Sequence, residues 1–292
     1  MKYKAYAKIN LFLEVLDQRP DGYHNLDTVF QSIDLCDELF FEKQTGGIHL
    51  TVSDPSIPAG GKNLVSRVFS LLLEKYPRKV AGARVHIEKR IPVGAGLGGG
   101  SADAAAAILA FDRLFELGLE REERNRLALE IGMDVPFCLT GGTMLASSRG
   151  EVLKHIQRNT DFKVLVVFPG FSISTREAYK ALAPWKERSR RNSEKICQIL
   201  RGKDNAPLWP ELYNAFEQAL FPRYPALEMA ALDLREEGCD AVVMTGSGAA
   251  VCGYVPPGRD LEEEVSRLKK SDRIVAVTRP VNTGVVKISN AE

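Results

Sequence analysis

A glycine-rich segment in the first half of the chain has the residue types and spacing of a phosphate-binding loop. Residues 94–100 read Gly-Ala-Gly-Leu-Gly-Gly-Gly, so five of seven positions lack a Cβ atom and the backbone N–H groups can approach a ligand closely. An alanine-rich run follows, which predicts a helix from Ser101 to about Leu117. A helix N-terminus carries unpaired N–H groups and a partial positive charge. We therefore predict that this segment binds phosphate groups.

Three known phosphate-binding patterns compete for this segment. The range Gly94–Gly99 has the letters of the dinucleotide fingerprint G-x-G-x-x-G, but that fingerprint requires a buried strand before it and a strand–helix–strand unit around it. Residues 84–91 instead alternate apolar with charged side chains, which predicts a half-exposed antiparallel strand, and a second helix is predicted at 120–131. A Walker loop fails because Gly100 stands where its lysine is required. A third pattern, named below, fits better.

Two charged residues lie in apolar surroundings. Residues 3–15 alternate in a period of two, which predicts a strand with one buried face and places Lys8 and Asn10 together on the other face. Spacing alone favours two solvated side chains there. Asp134 lies in an apolar run just before Pro136, and a carboxylate in such a place is seldom buried unless it is paired. The pattern alone favours a helix-capping role for it.

Two turns present polar or aromatic groups. Arg19-Pro20-Asp21-Gly22 has the composition of a tight turn and leads directly to Tyr23 and His24. Thr245-Gly246-Ser247-Gly248 lies between two apolar runs, which predicts paired strands around a second glycine turn. By themselves, both features are typical of ordinary turns.

The order of the predicted elements favours two domains. Strands at 28–33, 39–42 and 48–52 continue an antiparallel sheet, and Asn63 is a plausible N-cap for a helix at 64–76. A strand at 143–147 closes the first domain near residue 155. The second half combines strands at 162–168, around the second glycine turn and at 274–278 with helices at 211–220, 226–237 and 261–270. A capping box formed by Ser174 and Glu177 opens a further helix that carries Tyr179. A basic stretch at 185–193 resembles a linker.

Composition excludes several classes of protein. The chain has 292 residues, 26% of them charged, and a net charge of +1, so no broad field favours nucleic acid or an anionic membrane. No apolar run approaches twenty residues and no signal-like start is present, from which we expect a cytoplasmic protein without a membrane partner. The five cysteines are scattered without a C-x-x-C pair, which is typical of reduced thiols.

The motifs together resemble the GHMP small-molecule kinase superfamily. The three that carry the resemblance, in chain order, are Ala7-Lys8-Ile9-Asn10-Leu11, the loop at 94–106 and Thr245-Gly246-Ser247-Gly248. The resemblance implies an α+β fold with a ribosomal-S5-like N-terminal domain at 1–155, a ferredoxin-like C-terminal domain at 156–292 and an active site in the cleft between them. It implies ATP-dependent phosphorylation of an alcohol.

The resemblance also implies roles for particular residues. Lys8 and Asp134 match the catalytic pair, and Ser101 matches a ligand of Mg²⁺. The implied ATP-binding residues are Pro92, Val93, Gly94, Ala95, Gly96, Leu97, Gly98, Gly99, Gly100, Ser101 and Ala102, with Asn63 and Lys89 beside the purine.

Two further motifs, Arg19–His24 and Asp134–Phe137, are similar to the branch of the superfamily whose acceptor is a cytidyl diphosphate alcohol of non-mevalonate isoprenoid synthesis. The substrate-binding residues implied by that branch are Asn10, Tyr23, His24, Tyr179, Thr245, Gly246, Ser247 and Gly248. We expect a monomer or a weak homodimer.

Two other functions remain open at this point. A GHMP kinase of the mevalonate, homoserine or galactose type would share the glycine loop but lack the segment Asp21–His24. A non-catalytic metabolite sensor on the same fold is the alternative from another class. The presence of both Lys8 and Asp134 argues against it, because a sensor requires neither.

Overall fold

The computed structural model describes residues 1–185, 191–269 and 273–288. The strands, in chain order, are β1 (Lys2–Gln18), β2 (His24–Lys43), β3 (Gly47–Val52), β4 (Gly82–Glu88), β5 (Thr143–Ser148), β6 (Val152–His155), β7 (Lys163–Phe168), β8 (Tyr213–Asn214), β9 (Ala241–Met244), β10 (Val251–Val255), β11 (Ile274–Thr278) and β12 (Val285–Ile288). The α-helices are α1 (Leu64–Lys75), α2 (Gly99–Leu114), α3 (Arg121–Ile131), α4 (Val135–Thr140), α5 (Thr175–Leu182), α6 (Glu194–Leu200), α7 (Glu217–Leu220), α8 (Pro225–Glu236) and α9 (Glu262–Leu268). Most of the predicted linker lies outside the described residues.

The larger sheet has eight strands within the described ranges and the central order β12-β1-β2-β4-β3. The segments predicted as separate strands at 28–33 and 39–42 form one continuous strand, β2. The prediction that the sheet is antiparallel throughout was wrong for β3, which pairs in parallel with β4. Helix α1 connects these two strands, and a crossover through a helix returns the chain in the same direction.

The smaller sheet is antiparallel, with the order β11-β7-β10-β9. Numbered along the chain, this order is 4-1-3-2, with helices between its first and second strands and between its third and fourth. That arrangement is ferredoxin-like. The predicted α+β fold with two sheets is confirmed. Within the described residues, no helix is both long enough and apolar enough to cross a lipid bilayer.

Two strands from the second half of the chain return to the larger sheet. The predicted domain boundary at residue 155 falls at the end of β6, yet β8 and β12 both pair with β1. Pairing also explains why the helix predicted at 211–220 is shortened to α7, since residues 213–214 form β8. The division into 1–155 and 156–292 stays a prediction, and residues 289–292 lie outside the described ranges.

Strand β1 is buried on both faces. The predicted apolar face, from Ala7 to Val15, is in the core. The opposite face, which spacing predicted to be solvated, is also buried: Lys8 lies against Phe30 and Gly98, and the second half of the chain covers the rest. There Phe12 packs its ring 5.6 Å from that of Tyr213 in β8, and Asn10 bonds to the second glycine turn. The two halves therefore share one core along β1.

Gly284 gives a test of how the chain returns to the larger sheet. A Cβ atom at this position would overlap the backbone carbonyl of Cys138, and backbone cannot swing aside as a side chain can. We expect Gly284→Ala to lower the free energy of unfolding by about 1–3 kcal/mol, measured by urea denaturation. Gly61→Ala is the control, since its Cβ would meet nothing within 4 Å, and it should change stability by less than about 0.5 kcal/mol. Equal stability of the two variants would contradict the close approach.

Candidate active site

The glycine loop is fixed by its apolar residues and curved by its glycines. Ala95 and Leu97 are buried, and their carbonyl oxygens accept hydrogen bonds from Ala250 N at 3.0 Å and Lys8 N at 2.9 Å. Between and beside them, Gly94, Gly96 and Gly98 all have positive φ, which favours glycine. Helix α2 then begins at Gly99, two residues earlier than predicted. The loop therefore presents mostly backbone to the space outside it.

The two glycine segments of the sequence pack against each other, backbone to backbone. A Cβ at Gly246 would lie 2.8 Å from the carbonyl oxygen of Gly96, and one at Gly96 would overlap the carbonyl of Thr245. From the sequence, these glycines were expected to let ligands approach the backbone. At Gly96 and Gly246, the missing side chains instead allow the two glycine segments to pack against each other.

Asn10 joins Lys8 to the second glycine segment. Its Oδ1 accepts hydrogen bonds from Lys8 Nζ at 2.9 Å and Gly246 N at 3.0 Å. Its Nδ2 donates to Thr28 Oγ1 at 2.8 Å, and its backbone N donates to Thr245 Oγ1 at 3.0 Å. Asn10 was predicted to bind substrate and lines the cleft; its side chain is buried and engaged within the protein, and substrate binding there stays a prediction. Thr245 is buried as well.

Lys8 and Asp134 face each other across the bottom of a cleft. The Lys8 side chain is only 5% exposed, its Nζ lies 3.8 Å from Asp134 Oδ2, and the ring centroid of Phe30 is 5.2 Å from Nζ. The Asp134 side chain is 36% exposed. Although it precedes α4, it makes no capping hydrogen bond, so the simple capping interpretation was wrong. A buried cation and an accessible carboxylate therefore meet at this point.

The cleft itself has a volume of about 850 Å³. Its lining includes Lys8, Asp134, Ser101, the glycines of the first loop, Tyr23, His24, Tyr179, Gly246, Ser247 and Gly248. A second cavity of about 350 Å³ lies on the other side of the loop, where Asn63, Lys89 and residues 91–101 line it. Gly94, Gly96, Gly98 and Ser101 border both spaces. The structure thus brings most of the predicted site residues to two cavities that meet at one loop.

Three of the predicted ATP-binding residues are engaged in contacts within the protein. Asn63 caps α1, since its Oδ1 accepts a hydrogen bond from Val65 N at 2.9 Å. Ala102 is fully buried in α2. Lys89 lines the smaller cavity, and its ammonium is paired with the carboxylates of Asp37 and Asp103; its place beside the purine stays a prediction.

Three aromatic side chains lie at the far end of the cleft. The predicted turn forms, with Gly22 N donating to Arg19 O at 3.0 Å. Tyr23 is 54% exposed. The rings of His24 and Tyr179 stack on each other with centroids 4.9 Å apart. Burial, assisted by the Asp134 charge, raises the pKa of Tyr179 to about 12.

Besides Gln18, sequence reasoning missed four polar residues that line the cleft. They are Arg149, Thr175, Arg176 and Lys180. The Arg149 guanidinium lies 5.4 Å from the Tyr23 ring centroid. The hydroxyls of Thr175 and Ser247 are 3.3 Å apart. The predicted cap at Ser174 places α5 here, since Ser174 Oγ accepts a hydrogen bond from Glu177 N at 3.2 Å. The sequence indicates these four residues only weakly, through their closeness in the chain to that cap or to the turn between β5 and β6.

This architecture is that of the GHMP kinases, and comparisons with known proteins support the class. Residues 63–142 match the family model described as GHMP kinases N terminal domain. A homoserine kinase from Cytophaga hutchinsonii shares the fold at a TM-score of 0.74 and 18% identity, covering 98% of this chain and 96% of its own. The chain is a small-molecule kinase.

Similarity to one branch of that class is much higher. The 4-diphosphocytidyl-2-C-methyl-D-erythritol kinase of Thermoanaerobacter pseudethanolicus is 37% identical over 98% of each chain. A solved structure of 4-(cytidine 5'-diphospho)-2C-methyl-D-erythritol kinase superposes at a TM-score of 0.81 with 34% identity, covering 96% of this chain and 99% of that chain. The chain belongs to the family of 4-diphosphocytidyl-2-C-methyl-D-erythritol kinases.

Gly98 provides a test of how the loop and Lys8 depend on each other. A Cβ at Gly98 would lie 2.9 Å from Lys8 Cγ, so Gly98→Ala should displace the lysine. We expect kcat to fall by roughly ten- to a hundredfold, with a smaller change in KM for ATP, measured by a coupled kinase assay.

The control is Gly118→Ala, at a glycine with a similar φ of +72° and nothing within 4 Å of the added Cβ. It should cost about 1 kcal/mol of stability and leave kcat unchanged. Equal losses of kcat in both variants would indicate general backbone strain rather than displacement of Lys8.

Proposed function

We propose that the protein transfers the γ-phosphoryl group of ATP to the 2-hydroxyl of 4-diphosphocytidyl-2-C-methyl-D-erythritol. The products are the 2-phosphate and ADP, in the non-mevalonate pathway of isoprenoid synthesis. The observation that carries the proposal is the meeting of Lys8 and Asp134, 3.8 Å apart, in a cleft that borders the phosphate loop.

The chemistry follows from the positions of these two groups. Asp134 is accessible from the cleft, so its carboxylate can accept the proton of the attacking hydroxyl. Lys8 is held at Nζ by Asn10 and can orient that hydroxyl and offset the negative charge of the transferred group. Because Lys8 is buried and fixed, little reorganisation is needed when the substrates meet. The two residues act as base and electrostatic partner.

We place ATP along the loop, with its purine in the smaller cavity beside Asn63. Residues 94–101 line the smaller cavity, and Gly94, Gly96, Gly98 and Ser101 line both, so backbone N–H groups of the loop and of the first turn of α2 would hold the β- and γ-phosphates there. Dinucleotide binding is disfavoured, because helix α3 follows α2 where a strand would be required.

The residues present fit Mg²⁺ supplied together with ATP. The described residues contain no group of three or more His, Cys, Asp or Glu side chains suited to a metal, whereas Mg²⁺ commonly takes one or two protein oxygens and completes its shell with substrate phosphates and water. The Ser101 hydroxyl, which lines both cavities, would provide such an oxygen. The ion would neutralise phosphate charge.

The cytidyl group fits the aromatic end of the cleft. Tyr23 offers an exposed ring, and a base inserted between it and Tyr179 would require the His24 ring to leave its present stack. The His24 imidazole could then bond to the edge of the cytosine. Arg149, Arg176 and Lys180 line the same cleft, and their charge complements a diphosphate. A kinase whose acceptor is a smaller, uncharged alcohol would not need these aromatic and cationic side chains.

Changing Asp134 to Asn tests the base. The side chain keeps its size but loses its ability to accept a proton, so we expect kcat to fall by about 10²- to 10⁴-fold in a coupled assay. Binding of ATP and of the acceptor, followed by calorimetry, should largely survive. Asp240→Asn, at an exposed carboxylate outside the cleft, is the control and should behave as wild type. Near-normal turnover of the Asp134 variant would leave the residue without a catalytic role.

Removing either aromatic ring of the turn tests the acceptor. Tyr23→Ala and His24→Ala should raise KM for the cytidyl acceptor by roughly 5- to 150-fold, the range for one lost base stack, and leave KM for ATP nearly unchanged. Tyr224→Ala removes another stacked ring, which packs on Phe171 outside the cleft, and controls for loss of packing. If the two KM values rise equally, the turn supports the fold rather than the base.

Monomer or weak homodimer assembly and a cytoplasmic location stay predictions.

A further inference from the structure

A buried lysine lies beneath the phosphate loop between two buried carboxylates. The Lys89 side chain is 7% exposed, and its Nζ donates to Asp103 Oδ2 at 2.8 Å and to Asp37 Oδ2. The side chains of Asp37 and Asp103 are 0% and 7% exposed. We call Asp37, Lys89 and Asp103 the loop clamp. The catalytic proposal above makes no use of these three residues.

The first contact of the clamp fixes the entry to the loop. Asp37, in β2, accepts hydrogen bonds at Oδ1 from Arg90 N at 2.6 Å and Ile91 N at 2.9 Å. These are the residues between the end of β4 and Pro92. On the other side, Lys89 N donates to Ser53 Oγ at 2.9 Å. The chain that enters the loop is therefore bound to the sheet at three consecutive amides.

The second contact fixes the exit from the loop. Asp103 is the fifth residue of α2, so the bond between Lys89 and Asp103 joins the strand before the loop to the helix after it. The ammonium also lies directly against the start of that helix, since a Cβ on Gly99 would be 3.3 Å from Lys89 Nζ. The loop is thus closed at its base by one ion pair.

We propose that Lys89 and Asp103 are positioning residues for the nucleotide: their ion pair sets the direction in which the N-terminus of α2 presents its amides to the phosphates. This inference rests on the proposed function, in which those amides bind ATP. In this proposal Lys89 acts through the loop rather than as a ligand of the purine, because its ammonium already has two carboxylate partners.

The state of Asp103 supports this role. Its Oδ1 is buried and has no hydrogen-bond partner among the described residues, so the carboxylate is stabilised mainly through Oδ2 and Lys89. Burial is the largest influence on Asp103 and raises its pKa; the Lys89 charge opposes that rise, and the neighbouring Asp37 carboxylate adds to it. A buried carboxylate in this position would be costly without its cation. The pair is therefore suited to fixing geometry rather than to meeting solvent.

The test compares two carboxylates of the same helix. Asp103→Asn keeps an oxygen that can accept from Lys89 but removes the charge. Asp112→Asn does the same near the other end of α2, where Asp112 is paired with Arg124 at 2.8 Å, far along the helix from the loop. We expect Asp103→Asn to raise Kd for ATP and ADP by about tenfold, the loss of one charge-assisted bond, measured by calorimetry. Asp112→Asn should lower the unfolding midpoint without changing either Kd.

A change of base separates the clamp from direct purine contact. ATP and GTP differ in the purine, so loss of a purine ligand would alter their ratio of affinities, whereas loss of the clamp should weaken both by the same factor. KM for the cytidyl acceptor should not change. Lys89→Arg, which keeps the charge but alters its shape, should weaken both nucleotides in the same direction and provides the comparison if Asp103→Asn does not fold.

Three results would overturn the inference: an unchanged Kd for ATP in the folded variants, an equal loss in Asp112→Asn, or a change confined to one purine. The proposed function fails separately, if the wild-type protein binds ATP but does not phosphorylate the cytidyl acceptor.

Discussion

The hydrogen bonds to Asn10 Oδ1 are the interaction on which the site depends. One oxygen atom accepts from Lys8 Nζ and from Gly246 N, so the reactive lysine and the second glycine turn share a single fixed point. The turn in turn packs against Gly96 of the phosphate loop. Asn214 also holds the second glycine turn, since its Nδ2 donates to the carbonyls of Met244 and Gly246 at 2.8 and 2.9 Å. A shift at Asn10 would therefore move the lysine and both loops together.

Much of this arrangement could be predicted from local pattern. The glycine loop, the helix after it and the turn before Tyr23 all follow from residues adjacent in sequence, and each is present in the structure. The period of two also placed Lys8 and Asn10 correctly on one face. Local pattern succeeds at these points because the physical cause, a positive φ or a helix cap, lies within a few residues.

What the sequence did not predict depends on distant contacts. Spacing predicted that Lys8 and Asn10 lie on a solvated face. Nothing near them in the sequence indicates that residues 213–214 and 245–246 help to cover that face. Nothing near Lys89 in the sequence indicates that its ammonium is paired with Asp37 and Asp103. The parallel pairing of β3 with β4 was missed although α1 was predicted, since the helix was not treated as a crossover. Resemblance supplied the pairing of Lys8 with Asp134, which spacing could not.

The late position of Gly246 in the chain has a consequence for synthesis on the ribosome. The first half already contains the phosphate loop, α2 and Asp134, but residues of the second half hold this loop, since Ala250 N donates to Ala95 O at 3.0 Å and Gly246 packs against Gly96. Thr245 and Gly246, which bond to Asn10, are more than two hundred residues downstream of it, and β1 would still lack β12 as a neighbour. A partly synthesised chain would thus contain the residues of the site without the contacts that hold the loop and Asn10. The site is complete only when the last segments have left the ribosome.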